Sequence, residues 1–448
     1  MIHVGDCLQW LRSLPSNSVD SIVTDPPYGL GKEPDPRVVL SAWLNGEEYK
    51  PGGSGFMGRS WDAFVPSPVV WMECHRVLKP GGYLLSFAGT RTYDWIVMGV
   101  RLAGFEIRDM VGWIYGSGFP KSLDVSKAID AMMGAEREVV ESIPDRWAGK
   151  GSVLQRSTQA PAQSVNITAP ATEAARQWSG FGTALKPSIE PVVCARKPLD
   201  GTVAENVLKW GTGAINVDGC RVPHEEGGDS STNLMIRRSR GCSMVGGAGF
   251  WNGVKEPNIM GSALGRWPAN IIHDGSEEVL AVFPETVSGG TPVTMDRKDS
   301  SVPFQTGRVP FVAFSDSGSA ARFFYAAKAS RAEREHGLSA LPRGIVDPTR
   351  ELDSAGRSGE GRANIHPTVK PVDLMRYLTR LVTPPGGLVV DPYAGSGTTG
   401  VAAIHEGFRF MGAEQDTAHA LIAVTRIEQA VADEHEARTL ATMQIPLF

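Results

Sequence analysis

Long apolar runs are missing from this sequence: nothing approaches the ~20 consecutive apolar residues that a bilayer-spanning helix needs. The opening MIHVGDCLQW has no basic stretch followed by an apolar one, so no secretory signal is expected. Cysteine is scarce. Cys7, Cys74, Cys194, Cys220 and Cys242 are scattered, odd in number and without a C-x-x-C pair. That excludes a disulfide framework, offers no metal-ligand spacing, and points to a reducing, cytoplasmic setting with neither metal nor membrane as partner. A strong charge of either sign is absent too, with a net charge of −5 over 448 residues. Nucleic acid would therefore have to be met by a local patch rather than by a basic surface. The chain is 42% apolar and 21% charged, which is globular composition and excludes a disordered or fibrous protein. Its length exceeds what one hydrophobic core usually organises, so the expectation is two domains or one core with a large insertion.

What is present is an alternation of short strands and helices at both ends of the chain. Ile2–Val4 reads as a strand, and Asp6 can cap a helix carrying Leu8, Leu11 and Leu14 on one face. Val19–Thr24 reads as a buried strand that stops where two prolines forbid further ladder pairing. Residues 30–65 read as a surface loop. A helix over Trp71–Val77, a strand over Tyr83–Phe87, a helix near Tyr93–Leu102 and strands over Ile107–Ile114 and Ile189–Ala195 follow. Residues 151–175 have the composition of a flexible loop. Residues 200–330 show no sustained period of either kind and read as an irregular α+β region. Order returns with a helix through Val372, Met375, Leu378 and Leu381, a strand at Gly387–Val390, a helix at Val401–Glu406, a strand at Phe408–Gly412 and a helix over Thr417–Val431.

Two motifs carry chemistry. The first is the glycine loop, Gly395-Ser396-Gly397-Thr398-Thr399-Gly400, which follows a strand ending at Asp391 and opens a helix. In that context glycines let a cofactor approach the backbone at a helix N-terminus. Glu414 lies 19 residues beyond Gly395, at the end of the next strand, where a carboxylate can accept both ribose hydroxyls of an adenosine. Too few residues follow Glu414 to build the second half of a dinucleotide fold. The missing strands must then come from earlier in the chain, which predicts a circularly permuted sheet holding a single adenosine-type ligand. The second motif is Asp25-Pro26-Pro27-Tyr28, also after a strand. The Asp25 carboxylate and the Pro26 carbonyl can both accept hydrogen bonds from one NH₂ group, and Tyr28 offers a face on which a base can stack. An exocyclic amine is a poor nucleophile because its lone pair is conjugated with the ring. Two acceptors on its protons draw the nitrogen toward tetrahedral geometry and free that lone pair.

With both motifs in this order, the sequence resembles the beta class of S-adenosylmethionine-dependent DNA amino-methyltransferases. Further stretches carry the likeness. GDCLQWL at 5–11 resembles the family segment whose aspartate, here Asp6, contacts the adenine end of the cofactor. His366-Pro367-Thr368-Val369-Lys370-Pro371 resembles the HPTxKP element that lies near the methionine carboxylate, which implies Thr368 and Lys370 there. DPYAGSGTT at 391–399 matches the family loop, with Tyr393 keeping the aromatic position. The resemblance implies an α/β fold, a doubly wound, mostly parallel sheet that is circularly permuted and Rossmann-like. It implies cofactor contacts from Asp391, Tyr393, Ala394, Gly395, Ser396, Gly397, Thr398, Thr399 and Glu414, and catalysis by Asp25, Pro26, Pro27 and Tyr28. Asp rather than Ser at the head of the second motif resembles the adenine-N6 enzymes more than the cytosine-N4 ones. The family acts on double-stranded DNA and flips the target base out of the duplex.

The implied layout puts the catalytic half of the core at 1–135, a flexible insertion at 136–185, a core strand at 186–199, target recognition at 200–330 and the cofactor half at 331–448. Within the recognition region Arg237, Arg238 and Arg240 form the densest basic cluster and are candidate phosphate contacts. Trp113–Lys121, rich in aromatics and glycine, resembles the lining of the family's base pocket, and Glu190 is placed to approach the site. A homodimer is compatible with this reading. An RNA or protein methyltransferase would carry the glycine loop before the PPY motif, so motif order argues against one. A catalytically lapsed DNA-binding protein would not need both motifs intact.

Overall fold

The computed structural model describes residues 1–52, 62–118, 122–144, 164–223, 236–237, 258–259, 265–288, 316–327, 330–343 and 362–443. Nine strands form one sheet. In chain order they are β1 (Ile2–Val4), β2 (Val19–Thr24), β3 (Leu78–Phe87), β4 (Glu106–Ile114) and β5 (Ile189–Arg196). They continue with β6 (Ile271–His273), β7 (Tyr325–Ala326), β8 (Leu388–Asp391) and β9 (Arg409–Glu414). Across the sheet the order is β1-β9-β8-β2-β3-β5-β4-β6-β7. Neighbours are parallel everywhere except at β5, which runs against both β3 and β4. The sheet is mostly parallel, as the family likeness implies, with one reversed strand. Strands from the start of the chain are completed by strands from its end: β1 pairs with β9, and β2 pairs with β8.

Helices cover both faces, and the side-chain alternation of the strands shows why. Every residue of β2 is buried, with no polar face to leave in water. Val23, Leu85 and Phe87 point to a cluster shared with helices α5 (Val372–Val382), α6 (Thr398–His405) and α7 (Thr417–Met443). Ile22, Leu84 and Val193 point to the opposite cluster, built with α1 (Cys7–Ser13), α2 (Pro68–Val77) and α3 (Tyr93–Leu102). The helix α4 (Val203–Trp210) packs on β3. No described helix is long and apolar enough to cross a membrane.

Several local readings need correction. Residues 30–65 are not loop throughout, because Pro36–Leu44 is a helix capped by Asp35, whose carboxylate accepts from the Arg37 amide. It buries Val39 and Trp43, and Trp43 stacks edge-on against Trp95 at 5.5 Å. The irregular stretch also holds α4, closed by a full capping box between Thr202 and Glu205, and it lends β6 and β7 to the main sheet. Residues 164–168 pair with 139–144 in a hairpin, inside what reads as a flexible segment. The last helix runs twelve residues beyond Val431, to Met443.

Candidate active site

Both motifs lie at the carboxyl ends of adjacent parallel strands. β2 ends at Thr24 and β8 at Asp391, and the Thr24 hydroxyl donates to Asp391 Oδ1 at 2.6 Å across a sequence separation of 367. Carboxyl ends at such a junction are where ligands bind in open α/β sheets. A cavity of about 900 Å³ opens there, a size suited to a nucleotide-sized ligand.

On the glycine-loop side, Asp391 organises the turn. Its carboxylate accepts from Thr24, from the Tyr393 amide at 3.0 Å and from the Thr399 hydroxyl at 2.6 Å. Burial pushes its pKa up to about 6, against the pull of those donors. Gly395 and Gly397 have φ of +52° and +78°, and Gly397 caps α6 in the left-handed region. A Cβ on Gly397 would sit 2.8 Å from the Ala423 Cα, so the loop and α7 are in backbone contact there. Arg426, buried in α7, donates to the Ser396 carbonyl at 2.7 Å and to the Thr398 hydroxyl at 3.0 Å. Ala394, Gly395, Ser396, Thr398 and Thr399 line the cavity, as do Asp391 and Tyr393. Gly397 does not line it and instead turns the chain toward α7. Glu414 closes this side. Its two oxygens accept from the Gly395 and Asp416 amides, each at 2.9 Å, and burial raises its pKa. Asp6 caps α1 by accepting from the Gln9 amide at 2.8 Å, and it reaches the same cavity.

On the other side, Asp25, Pro26, Pro27 and Tyr28 all line the cavity. The turn after them is pinned. Asp62 accepts from the Tyr28 and Gly29 amides at 2.9 and 3.0 Å, and the Thr92 hydroxyl donates to the Tyr28 carbonyl at 2.5 Å. Asp25 Oδ2 accepts from the Lys370 ammonium at 2.6 Å, while Asp25 Oδ1 is buried with no hydrogen-bond partner. Such an orphaned acceptor is costly unless a ligand donor meets it. The Tyr28 hydroxyl donates to Glu190 Oε2 at 3.0 Å and accepts from Lys370 at 3.1 Å, and Lys370 also lies 3.2 Å from Glu190. Burial, then the nearby Asp25 and Glu190 charges, push the Tyr28 phenol well up, so it stays protonated. For Lys370, burial favours the neutral amine, but Asp25 and Glu190 outweigh it and raise its pKa.

Lys370, which the family likeness implies near the cofactor's carboxylate, lines the cavity and lies 2.6 Å from Asp25 and 3.2 Å from Glu190. Two partly buried carboxylates give the buried ammonium its counter-charge. Thr368 does line the cavity, and its carbonyl lies 2.8 Å from His366 Nδ1. Burial, with His419 beside it, lowers the His366 pKa to about 3, so the imidazole is neutral at physiological pH. Trp113, Tyr115 and Ser117 also line the cavity, whereas residues 119–121 fall outside the described residues. Arg237 belongs to a two-residue strand paired with Asn258–Ile259, and Arg238 and Arg240 fall outside the described residues.

Sequence reasoning missed Asp62, Thr92 and Arg426. Only Arg426 had a local signal, as a lone arginine within the apolar pattern of the last helix.

A mostly parallel α/β sheet thus carries a glycine loop and an acidic D-P-P-Y turn on adjoining strand ends, and both line one cavity. The chain belongs to the DNA methylase family, whose model of N6 and N4 methyltransferases matches residues 19–157 and 278–425 and so spans both motifs. It is 37% identical over 122 residues to the DNA adenine methyltransferase YhdJ of Escherichia coli K12, covering 26% of this chain and 33% of that one. It is 27% identical over 131 residues to the type II methyltransferase M.HpaI of Haemophilus parainfluenzae, covering 29% of this chain and 36% of that one. The matches thus span about a third of these relatives' length. The solved cytosine-N4-specific PvuII DNA methyltransferase aligns with a TM-score of 0.40 at 12% identity, over 97% of this chain and 91% of that one.

Glu414 gives the first prediction. Hydrogen bonds from cofactor hydroxyls to a carboxylate contribute about 1.5–3 kcal/mol. Glu414→Ala should weaken S-adenosylmethionine roughly tenfold or more in calorimetry. Unchanged affinity in a folded variant would move the ribose contact elsewhere.

Proposed function

We propose that this protein transfers a methyl group from S-adenosylmethionine to the exocyclic amine of a flipped base in double-stranded DNA, adenine N6 in particular. The observation that carries the reading is the buried, unpartnered Oδ1 of Asp25, a residue that lines the same cavity as the glycine loop.

The residues present suit the cofactor. Glu414 and Asp6 supply carboxylates for the adenosine end, and the glycine loop removes side chains where its backbone must come close. Neutral His366 adds no positive charge to a cavity that would hold a cationic cofactor. The cofactor supplies an electrophilic methyl group. Asp25 Oδ1 and the Pro26 carbonyl accept the two amine hydrogens, which localises the nitrogen lone pair. Tyr28, held by Glu190 and Lys370, offers its ring to the base. On transfer the nitrogen lone pair would take the methyl as its bond to sulfur breaks, the donor leaving as a neutral thioether, and the acidity of the substituted ammonium would let one proton leave to solvent without a strong general base.

Adenine is favoured by Asp25 at the head of the motif, and the Escherichia coli relative bears that substrate in its name. The domain layout expected above belongs to the same proposal. Residues 200–330 would recognise the target, with Arg237, Arg238 and Arg240 toward phosphates, while the sheet holds the chemistry. The test is direct sequencing, with modified-base detection, of DNA from cells expressing the protein. N6-methyladenine at one recurrent sequence is the expected result. N4-methylcytosine there would change the base, and unmodified DNA from an active preparation would overturn the reading.

A further inference from the structure

The group of Lys370, Glu190, Asp25 and Tyr28, of which Lys370 is buried and the others partly so, holds more charge than a base-stacking turn requires. Lys370 is 8% exposed and makes three polar contacts, to Asp25, Glu190 and the Tyr28 hydroxyl. Its ammonium also lies over the Phe87 and Tyr28 rings, at 4.8 and 5.3 Å from their centroids. Glu190 reaches the site because β5 is reversed. Its first residues arrive at the edge where the parallel strands end, with Glu190 paired to Trp113 of β4.

We propose that Lys370 and Glu190 are positioning residues for Asp25. Lys370 grips one oxygen of the Asp25 carboxylate so that the other is left for the target amine, and Glu190 supplies the counter-charge that keeps Lys370 from cancelling Asp25. The inference rests on the methyltransferase reading above. With Lys370 alone, the Asp25 pair would be neutral. With Glu190, one cation is shared by two carboxylates and an excess negative charge remains where the amine nitrogen becomes cationic. Fixed charge of that sign, already oriented by Lys370 and the Tyr28 hydroxyl, stabilises the developing positive charge with little reorganisation. The other titratable groups facing this cluster are Tyr115, on the Glu190 side, and Asp391 and His366, on the glycine-loop side.

The test compares Lys370→Met, Lys370→Arg and Glu190→Gln with the unmodified chain, by single-turnover methylation of duplex DNA and by calorimetric S-adenosylmethionine affinity. Lys370→Met should slow methylation about a hundredfold and leave cofactor affinity within about twofold. Lys370→Arg should recover at least tenfold of that loss, since a guanidinium can bridge the same two carboxylates. Glu190→Gln keeps the shape but removes the counter-charge, and should slow methylation about tenfold, again without a change in cofactor affinity. A loss that appears in cofactor affinity would overturn the proposal and return Lys370 to the cofactor's carboxylate. So would an arginine variant no better than methionine. If Lys370→Met does not fold, a Glu190→Gln rate equal to that of the unmodified chain overturns it. An unmodified chain that fails to methylate DNA refutes the parent reading instead.

Discussion

Asp25→Ala should lower the single-turnover methylation rate at least about a hundredfold, on the scale by which one preorganised hydrogen-bond partner contributes to transition-state stabilisation. Cofactor affinity should stay within about twofold. The reason is the asymmetry of the Asp25 carboxylate, with Oδ2 taken by Lys370 at 2.6 Å and Oδ1 buried without a partner. Alanine removes the orphaned acceptor and leaves the glycine loop untouched. Asp25→Asn keeps an acceptor oxygen but loses the charge, so its rate should lie between alanine and the unmodified chain. A near-normal rate in both variants, with labelled cofactor, would place the amine elsewhere.

Gly397→Val should abolish measurable cofactor binding, weakening it by two orders of magnitude or more. Two effects add here. A side chain at φ +78° carries roughly 1–2 kcal/mol of left-handed strain, more for a β-branched residue. The new Cβ would also lie 2.8 Å from the Ala423 Cα and 3.0 Å from its carbonyl, which are backbone atoms of a packed helix. The loop must move away from α7, and the bonds from Arg426 to Ser396 and Thr398 are lost with it. Gly407 provides the control. Its φ is +73°, but a Cβ there meets nothing within 4 Å. Gly407→Ala should cost some thermal stability and leave cofactor affinity unchanged. Equal behaviour of the two variants in calorimetry and thermal denaturation would assign the Gly397 effect to strain alone.

The two motifs were legible because each is local. A strand that ends in prolines or glycines announces its turn within a few residues, and the chemistry of Asp25 or Glu414 follows from that place. The relation between them was legible only through chain order and the family likeness. The Lys370–Asp25 pair spans 345 residues, and no spacing rule reaches that far. Asp62 was invisible for a related reason: it acts by accepting two backbone amides, which any acidic residue brought there would do. Other misses had signals. Asp35-Pro36 is a helix start, with a capping residue followed by proline in the first turn, and Thr202 with Glu205 forms a capping box. Both were outweighed by the glycines around them. β6 and β7, of three and two residues, are too short to show a period and exist because β4 offers an edge to β6, and β6 to β7.

The pairing of β2 with β8 also bears on how the protein is made. β2 is buried on both faces, yet one of its two neighbours is synthesised some 367 residues after it. At a ribosome speed of about 5–20 residues per second, that delay is roughly 20–75 s. Throughout that interval one edge of a strand that ends up buried awaits its partner, and Thr24 has no Asp391 to donate to. The cofactor site cannot close on a growing chain, so cofactor capture must follow release of the C-terminal strands. During synthesis the exposed β2 edge is where a chaperone would be needed most.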